Sequence, residues 1–325
     1  NHGGYVYLNR MDPTNPQKVF ASFAMGGLWR TIDGGSVWNL VDNGFPDTQY
    51  TDIDVCIANP QIVYALSDKQ LIKSTDGGLN WLTTTMTANT YPGKAYDIAV
   101  SPVNPDIVVV RWGTSLYRTI NGGNSWNEVY TGLPNYEIWD SSVHSECLEW
   151  DPDNSDSVYF ASTSNNNVFK VYKSVDQGAS FSQLNSTTLS ASSNGQIIGW
   201  TKVFLPTNNA TSFYVAVGTG SNAYGHTAVQ LYKLNKLTGN VELTRTNMIS
   251  GIGNAYSHDP VLHHGDIQMD RNDEKKIAYG CVGNQKIHIS TDNGVSFSVS
   301  AGTTHHDIRS IDFVNGKLIA GSDGE

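Results

Sequence analysis

Charged residues, cysteines and long apolar runs are all scarce in this chain of 325 residues. Only 15% of the residues are charged, the formal net charge is −10, and no run of Lys or Arg occurs, which argues against nucleic acid as a partner. No stretch approaches the ~20 consecutive apolar residues of a membrane-spanning helix. The three cysteines, Cys56, Cys147 and Cys281, provide no disulfide framework, and we interpret them as buried thiols within strands.

The residues that are abundant favour an all-β fold. The chain has 31 Gly, 16 Tyr and 8 Trp, together with many Ser, Thr and Asn, a composition typical of short strands joined by many turns. No linker or low-complexity segment divides the sequence. We therefore predict a single domain over residues 1–325 with one large core.

An eight-residue pattern, Ser/Thr-x-Asp-x-Gly-x-x-aromatic, recurs five times along the chain. Gly permits the positive φ angle of a tight turn, the Ser/Thr and Asp side chains bond turn amides, and the aromatic ring buries an apolar face. Because the pattern repeats, we interpret its carboxylates as structural rather than catalytic. The copies are residues 31–38, 74–81, 119–126, 174–181 and 290–297, with Asp33, Asp76, Asp176 and Asp292 at the acidic position and Asn121 in the third copy.

This pattern is the Asp box, or BNR repeat, and the chain resembles the broad group of β-propellers that carry it. The group includes sialidases, xyloglucan-hydrolysing enzymes and sortilin-type receptors. The resemblance implies an all-β propeller in which each box lies between the third and fourth strands of a blade. It also implies an extracellular or cell-surface location, since most proteins with this repeat are exported.

A second pattern, a strand, a Pro/Asn turn and another strand, predicts about seven blades. The fifth blade lacks a box, and the chain stops after two strands of the seventh, which we therefore expect to be incomplete. On this basis we interpret the chain as a fragment of a longer protein with a processed or trimmed N terminus. The strand pairs lie in residues 12–21, 58–65, 101–110, 151–161, 206–216, 270–280 and 315–320.

The fourth-to-first and second-to-third strand connections of a propeller lie on one face, where ligands usually bind. In this chain they are rich in His and aromatic residues, which suit sugar rings and extended peptides alike. We predict that this loop-rich face binds a glycan or an extracellular protein; the alternative is that the loops pack on one another. The candidate residues are Tyr96, Trp112, Trp139, His144, His263, His264, His305 and His306. Five of them are expected to surround one opening: Tyr96, Trp112, Trp139, His263 and His306.

Four aspartates complete the candidate binding set. Asp52, Asp97 and Asp266 share one register position in their first strands, and Asp307 lies near the equivalent position of the last. Such a ring could hold a cation or polar ligand; alternatively, each carboxylate accepts hydrogen bonds from amides of the neighbouring blade. The His pairs lack the spacing of known metal motifs, so we predict no metal site and no cofactor.

The enzyme families within the resemblance can be tested residue by residue. Residues 3–6 and 23–30 resemble the start of xyloglucanases, in which an Asp of this segment supplies a catalytic carboxylate, but Ala24 occupies that position here. The Arg-Ile-Pro signature of sialidases is absent. We therefore favour a binding protein. Two alternatives stay open: an architectural module of a large adhesin or export cargo, and a glycoside hydrolase with its acid and base among Asp52, Asp97, Glu146, Asp266 and Asp307.

Overall fold

The computed structural model describes the chain in fourteen segments, all of whose regular elements are β-strands. Within these segments no helix has the length and apolar character that a bilayer crossing requires. The described residues are 6–23, 26–42, 44–45, 49–133, 147–164, 168–184, 189–190, 198–208, 211–222, 225–246, 248, 266–280, 286–299 and 308–322.

The first three sheets each have four strands in sequential order. Sheet one contains β1 (Val6–Asp12), β2 (Asn15–Phe23), β3 (Gly27–Thr31) and β4 (Asn39–Leu40). Sheet two contains β5 (Tyr50–Val55), β6 (Val63–Ser67), β7 (Gln70–Ser74) and β8 (Leu82–Thr87). Sheet three contains β9 (Ala95–Val100), β10 (Val108–Trp112), β11 (Ser115–Thr119) and β12 (Asn127–Thr131).

Three further sheets repeat this order, and a hairpin follows them. Sheet four contains β13 (Leu148–Trp150), β14 (Val158–Ser164), β15 (Val168–Ser174) and β16 (Ser182–Gln183), with β17 (Leu189–Ser190) also paired to β15. Sheet five contains β18 (Ile198–Phe204), β19 (Ser212–Asn222), β20 (Gly225–Asn235) and β21 (Val241–Arg245). Sheet six contains β22 (Asp266–Asp270), β23 (Asp273–Gly280), β24 (His288–Ser290) and β25 (Ser298–Val299), and the hairpin is β26 (Ile308–Val314) with β27 (Lys317–Ser322).

The predicted count of about seven blades is not confirmed. Among the described residues, six sheets have the four strands of a blade, whereas β26 and β27 form a two-stranded sheet. The chain divides into two compact units, and the boundary passes through sheet four. The first unit comprises Asn1–Asn135, Leu148–Val158 and Ser174–Phe181, and the second comprises Tyr136–Cys147, Tyr159–Lys173 and Ser182–Glu325.

Each unit has its own core, built mainly by second strands that are buried on both faces. In the first unit, β6 and β10 are buried along their whole length, because sheets one, two and three pack face to face through them. In the second unit, Tyr159 contacts Phe213 and Phe169 contacts Tyr232 in one apolar cluster. The fourth strands are largely exposed, as the burial patterns of β4 and β12 illustrate.

The five sequence repeats form one kind of turn, which we call the repeated turns. In the second copy, Ser74 Oγ donates to Asp76 Oδ1 at 2.8 Å and accepts from the Gly78 amide at 2.8 Å, while Asp76 Oδ1 accepts from the Asn80 amide at 2.9 Å. The other copies make the same three bonds, and Asn121 replaces the carboxylate without changing them. Side chains therefore satisfy turn amides that have no strand partner.

The repeated turns take the same position in each of their sheets. Each lies between the third and fourth strands of sheets one to four and six, and sheet five has a different turn over residues 235–240. Each repeated turn also donates one amide to the start of the second strand of its own sheet, as Gly77 does to the Gln61 carbonyl at 2.8 Å. The turn thereby fixes the second strand of the sheet relative to the third and fourth strands, which the turn itself connects.

The aromatic residues of the repeated turns are less uniformly buried than the sequence predicted. Trp81 is 3% exposed and packs edge-on against Phe20 of the preceding sheet. Trp38, Trp126, Phe181 and Phe297 are only half-buried. The rings differ in burial because each is covered to a different extent by residues of the neighbouring sheet. The sequence of the turn itself does not determine those residues.

The cysteines agree in part with the prediction. Cys56 and Cys147 are buried thiols, as expected. They lie directly beside strands rather than within them, since β5 ends at Val55 and β13 begins at Leu148. Cys281 lies outside the described residues.

We predict that Trp81→Ala destabilises the fold by about 3–5 kcal/mol, because it removes a fully buried aromatic ring from the core. The matched variant Trp38→Ala, at the same position of a half-buried turn, should cost only about 1 kcal/mol. Chemical denaturation of both variants measures the difference. Equal losses would mean that burial by the neighbouring sheet does not control the contribution of these rings.

A second prediction concerns acid stability. Burial disfavours ionisation of Asp76, but hydrogen bonds from Asn80, Ser74 and the Leu79 amide outweigh it and lower the pKa of Asp76 to about 2. A carboxylate with a depressed pKa stabilises the fold above its unfolded pKa, and this contribution is lost as the pH falls from about 4 towards 2. Asp76→Asn should therefore flatten the decline of melting temperature over this pH range.

The chain supplies the reciprocal control for this experiment. Asn121→Asp installs a carboxylate in the one repeated turn that lacks it, and should steepen the same decline. Thermal melts of the wild type and both variants between about pH 2 and pH 5 make the comparison. Parallel curves for all three proteins would show that these carboxylates do not couple protonation to folding.

Candidate ligand-binding site

Five of the predicted site residues lie among the described residues: Asp52, Tyr96, Asp97, Trp112 and Asp266. The others lie outside them, so the predicted shared opening stays a prediction; these are Trp139, His144, His263, His264, His305, His306 and Asp307. Ala24 and Glu146 also lie outside the described residues. Within the described segments, no group of His, Cys, Asp and Glu side chains could hold a metal ion.

The three described aspartates bond to the main chain of the following sheet. Asp52 Oδ2 accepts from the Ile98 amide at 3.0 Å, and Asp97 Oδ2 accepts from the Leu148 amide at 2.8 Å. In the second unit, Asp266 Oδ2 accepts from the Ile311 amide at 2.7 Å. All three side chains are buried, so each carboxylate satisfies an amide that water cannot reach.

Two of these aspartates also receive a cation from the preceding sheet. Arg10 Nη2 donates to Asp52 Oδ1 at 2.8 Å, and its Nε donates to the Ile53 carbonyl at 2.9 Å. Lys202 Nζ repeats this arrangement in the second unit, with Asp266 Oδ1 at 2.7 Å and the Ile267 carbonyl at 3.2 Å. We call each set of cation, carboxylate and amide an inner latch.

The amide hydrogen bonds, which all three aspartates share, account for their common register, and the inner latches add a cation at Asp52 and Asp266. A buried carboxylate with charged and amide donors has little capacity left for a ligand. Of the two interpretations that the sequence left open, the bonds of Asp52, Asp97 and Asp266 match the one in which each carboxylate satisfies amides of a neighbouring sheet.

Trp112 lies at the end of β10 and is 1% exposed. It packs in the apolar cluster between sheets two and three, together with Leu66, Met86 and Val110. The following residue, Gly113, adopts a φ of 58° and leaves room for a close approach of the β8–β9 connection. Trp112 thus supports this edge of the sheets from beneath and offers no ring face to solvent.

Tyr96 is the extra residue of a β-bulge at the start of β9. Arg111 pairs with Asp97 and Trp112 pairs with Ala95, so the strand gains one residue at Tyr96. A bulge re-aims the side chain it carries. The ring of Tyr96 is half-buried, and the guanidinium of Arg111 lies 4.7 Å from its centroid. Arg111 itself is 3% exposed.

The protonation of Tyr96 follows from these surroundings. Burial raises the pKa of its phenol, the charge of Arg111 partly offsets that rise, and Asp68 adds to it. The net shift is upward, so the phenol keeps its proton at neutral pH and remains a hydrogen-bond donor.

The connection before β9 is held against two neighbouring turns. Asp68 Oδ1 accepts from the Ala95 amide at 3.1 Å, and the Lys94 carbonyl accepts from the Gly113 amide at 2.7 Å. Further along the connection, Tyr91 packs edge-on against Tyr117 with centroids 4.8 Å apart. Tyr91 and Tyr117 pack on the side of sheet three that carries Val110, whereas Arg111 and Tyr96 lie on the other side.

Sequence reasoning selected Tyr96 but missed its neighbours Arg111 and Asp68. The signal for Arg111 was present, because a charged residue inside the apolar strand 107–112 must be buried and needs compensating contacts. The bulge could not be found, since it is a property of strand register that no single residue encodes.

No protein-family model matches the sequence, and no curated protein matches it. Solved structures do. YCF48 from Cyanidioschyzon merolae has a TM-score of 0.64 and 15% identity, covering 99% of this chain and 94% of that chain. A second YCF48 structure, bound to D1 peptide, gives a TM-score of 0.64 at 13% identity, with 99% and 92% coverage.

Two other proteins extend the comparison. The GH74 xyloglucanase from Xanthomonas campestris has a TM-score of 0.70 and 13% identity, with 99% of this chain and 51% of that chain covered. The Dos1 propeller has a TM-score of 0.66 and 12% identity, with 99% and 90% coverage. The chain therefore spans about half of the xyloglucanase. At these identities the likeness shows the fold: an all-β β-propeller, with six blades among the described residues.

We predict that Asp52→Ala destabilises the fold by about 3–5 kcal/mol, because it leaves the Arg10 charge and the Ile98 amide buried without their acceptor. The control is Asp106→Ala, which breaks an exposed ion pair with Lys73 and should cost no more than about 1 kcal/mol. Urea denaturation measures both. If the Asp52→Ala protein is as stable as the wild type, the fold does not depend on the Asp52 carboxylate, and a role in binding becomes the better explanation of this residue.

Proposed function

We propose that this protein is a secreted or cell-surface β-propeller that binds a protein or glycan ligand through its loop-rich face and does not hydrolyse it. The observation that carries the proposal is the engagement of Asp52, Asp97 and Asp266 in buried hydrogen bonds to main-chain amides. These were the described candidates for an acid and base. Their bonds favour a structural role, which leaves the loop-rich face to act by recognition.

The chemistry of glycoside hydrolysis supports this choice. Most such enzymes need two carboxyl groups about 5–10 Å apart, one of which gives a proton while the other attacks or activates water. Ala24 stands where the xyloglucanase resemblance would require one of them. A buried carboxylate whose oxygens accept main-chain hydrogen bonds has little capacity left to contact a substrate.

The finer assignments of the resemblance belong to the same proposal. We interpret the repeated turns as Asp boxes, the hairpin of β26 and β27 as the start of a seventh blade, and the chain as a relative of the sortilin-type, xyloglucanase and sialidase-like propellers. The structural neighbours include a GH74 xyloglucanase and a YCF48 bound to a peptide. Those neighbours make hydrolysis and protein binding the two activities to separate.

The experiment applies one protein preparation to both activities. Immobilised protein is incubated with a glycan array and with proteins from an extracellular fraction, and soluble protein is tested for release of reducing ends from polysaccharides that include xyloglucan. We expect saturable binding of a glycan or protein without release of reducing ends. If the protein hydrolyses a polysaccharide and binds no ligand that it leaves intact, the glycoside hydrolase alternative replaces this proposal. Failure of both assays would favour an architectural module.

A further inference from the structure

The hairpin of β26 and β27 is joined to sheet six as a first strand is joined to the preceding sheet. Asp266 Oδ2 accepts from the Ile311 amide at 2.7 Å, the same kind of bond that joins β9 to sheet two. At the turn that follows β26, the Gly316 amide donates to Asp270 Oδ2 at 2.7 Å. The hairpin therefore holds the places of a first and a second strand.

The burial of β27 differs from that of second strands in complete sheets. Every residue of β6 and β10 is buried, and a third strand pairs with the outer edge of each. In β27, by contrast, Lys317 is exposed, and four residues are only half-buried: Leu318, Ile319, Ala320 and Ser322. Among the described residues, no strand pairs with the outer edge of β27.

The register of the hairpin shows which groups this edge presents. A two-residue turn connects the strands, and Val314 pairs with Lys317 across it. The pair that closes a two-residue connection is hydrogen-bonded, and such pairs alternate with non-bonded pairs along an antiparallel ladder. The main-chain groups of Leu318 and Ala320 consequently point away from β26. They form the bonding edge that a further strand would use.

Sheet six departs from the other sheets at one position that faces the hairpin. In sheets one to five, the third strand carries a cation directly before its repeated turn, or at the equivalent register of sheet five. Each of these cations interacts with the following sheet: Arg30, Lys73, Arg118, Lys173 and Lys233. Sheet six has Ile289 at this position, and its side chain packs against the apolar cluster that contains Ile311 and Phe313.

The apolar character of Ile289 indicates what the edge accepts. Three half-buried apolar side chains form the margin of this cluster: Ile289 of β24, with Leu318 and Ala320 of β27. A cation at this position needs a carboxylate or carbonyl partner, as Lys73 and Arg118 have in the sheets that follow them. An isoleucine needs apolar contact instead. A strand added to β27 would therefore carry apolar residues on the side that faces sheet six.

The edge of β27 is also recessed beside sheet six. Sheet six continues past its second strand to β24 and β25, whereas the hairpin ends at β27. Because neighbouring strands lie about 5 Å apart, sheet six extends roughly 10 Å further than the hairpin. A single extended segment fits in such a recess. A folded second copy of the chain would meet β24 and β25 before its own strands could reach β27.

We propose that the outer edge of β27 binds an extended segment of a partner protein, which adds to the hairpin as an antiparallel third strand. Third strands pair with second strands in this way in the complete sheets. Main-chain hydrogen bonds to Leu318 and Ala320 supply the affinity, and apolar residues at every second position of the segment pack beside Ile289. The site is separate from the loop-rich face, so each can fail without the other.

Peptide binding to the intact chain tests the proposal. The probe is a fluorescein-labelled peptide with Val and Thr at alternate positions and Glu at both ends, which an acidic protein does not attract by charge alone. A second form carries N-methyl groups on its central amides, which removes the main-chain donors and keeps the side chains. We expect the unmodified form to bind at least about tenfold more tightly. Equal binding of both forms would overturn strand addition.

Hydrogen exchange at β27 locates the peptide and tests the other occupants. The amides of Leu318 and Ala320 should exchange rapidly in the free protein and at least about tenfold more slowly with peptide bound, whereas the Ile319 amide, which points towards β26, stays slow throughout. Slow exchange of Leu318 and Ala320 in the free protein would show that another part of this chain covers the edge. Slowing that depends on protein concentration would assign the edge to a second copy. Either result overturns the partner segment.

A pair of lysine substitutions tests the apolar margin. Ile289→Lys places an ammonium beside the added strand and should weaken peptide binding roughly tenfold, because that charge loses water without gaining a partner. Val299→Lys makes the same change in charge on the opposite face of sheet six, where Val299 pairs with His288, and should leave the affinity within about twofold. Equal weakening by both variants would overturn the margin as part of the site. If Ile289→Lys does not fold, the N-methylated peptide and the exchange rates still decide.

Discussion

Where one sheet of this propeller packs on the next, the first strand presents a buried amide that has no partner within its own sheet. Asp52, Asp97 and Asp266 supply the acceptor from the preceding sheet. An unsatisfied buried amide costs about 1–3 kcal/mol, and at these three interfaces a carboxylate removes that cost. These hydrogen bonds also occupy oxygen atoms of the carboxylates. Residues that close the sheets on one another cannot at the same time act as free acids.

The two ends of each sheet are therefore under different constraints. At one end the repeated turns use their own side chains to satisfy their amides, as Ser74 and Asp76 do, and the sequence there can vary little. At the other end of sheet three, the connection before β9 is held by single bonds, such as that from the Gly113 amide to the Lys94 carbonyl and that from the Ala95 amide to Asp68. Recognition can evolve at that end without cost to the turns.

Local sequence predicted what local chemistry determines. The five repeated turns, their place between third and fourth strands and the different turn of sheet five all follow from short patterns. Features set by distant neighbours could not be predicted. Trp81 is buried because Phe20 lies beside it, and Asp52 is engaged by an amide 46 residues away. The bulge at Tyr96 depends on the register of β9 against β10. The sequence is compatible with registers that differ by one residue and does not select between them.

The cations of the chain differ in the groups that they contact. Lys73 and Arg118 precede repeated turns and reach the following sheet, where Lys73 bonds Asp106 and Arg118 bonds the Gln177 carbonyl. These side chains stabilise the stacking of sheets, which removes them from any substrate-binding role. Arg111 follows neither this pattern nor that of the inner latches. It lies on a second strand beneath a bulged tyrosine, and its guanidinium covers one face of the Tyr96 ring instead of reaching the following sheet.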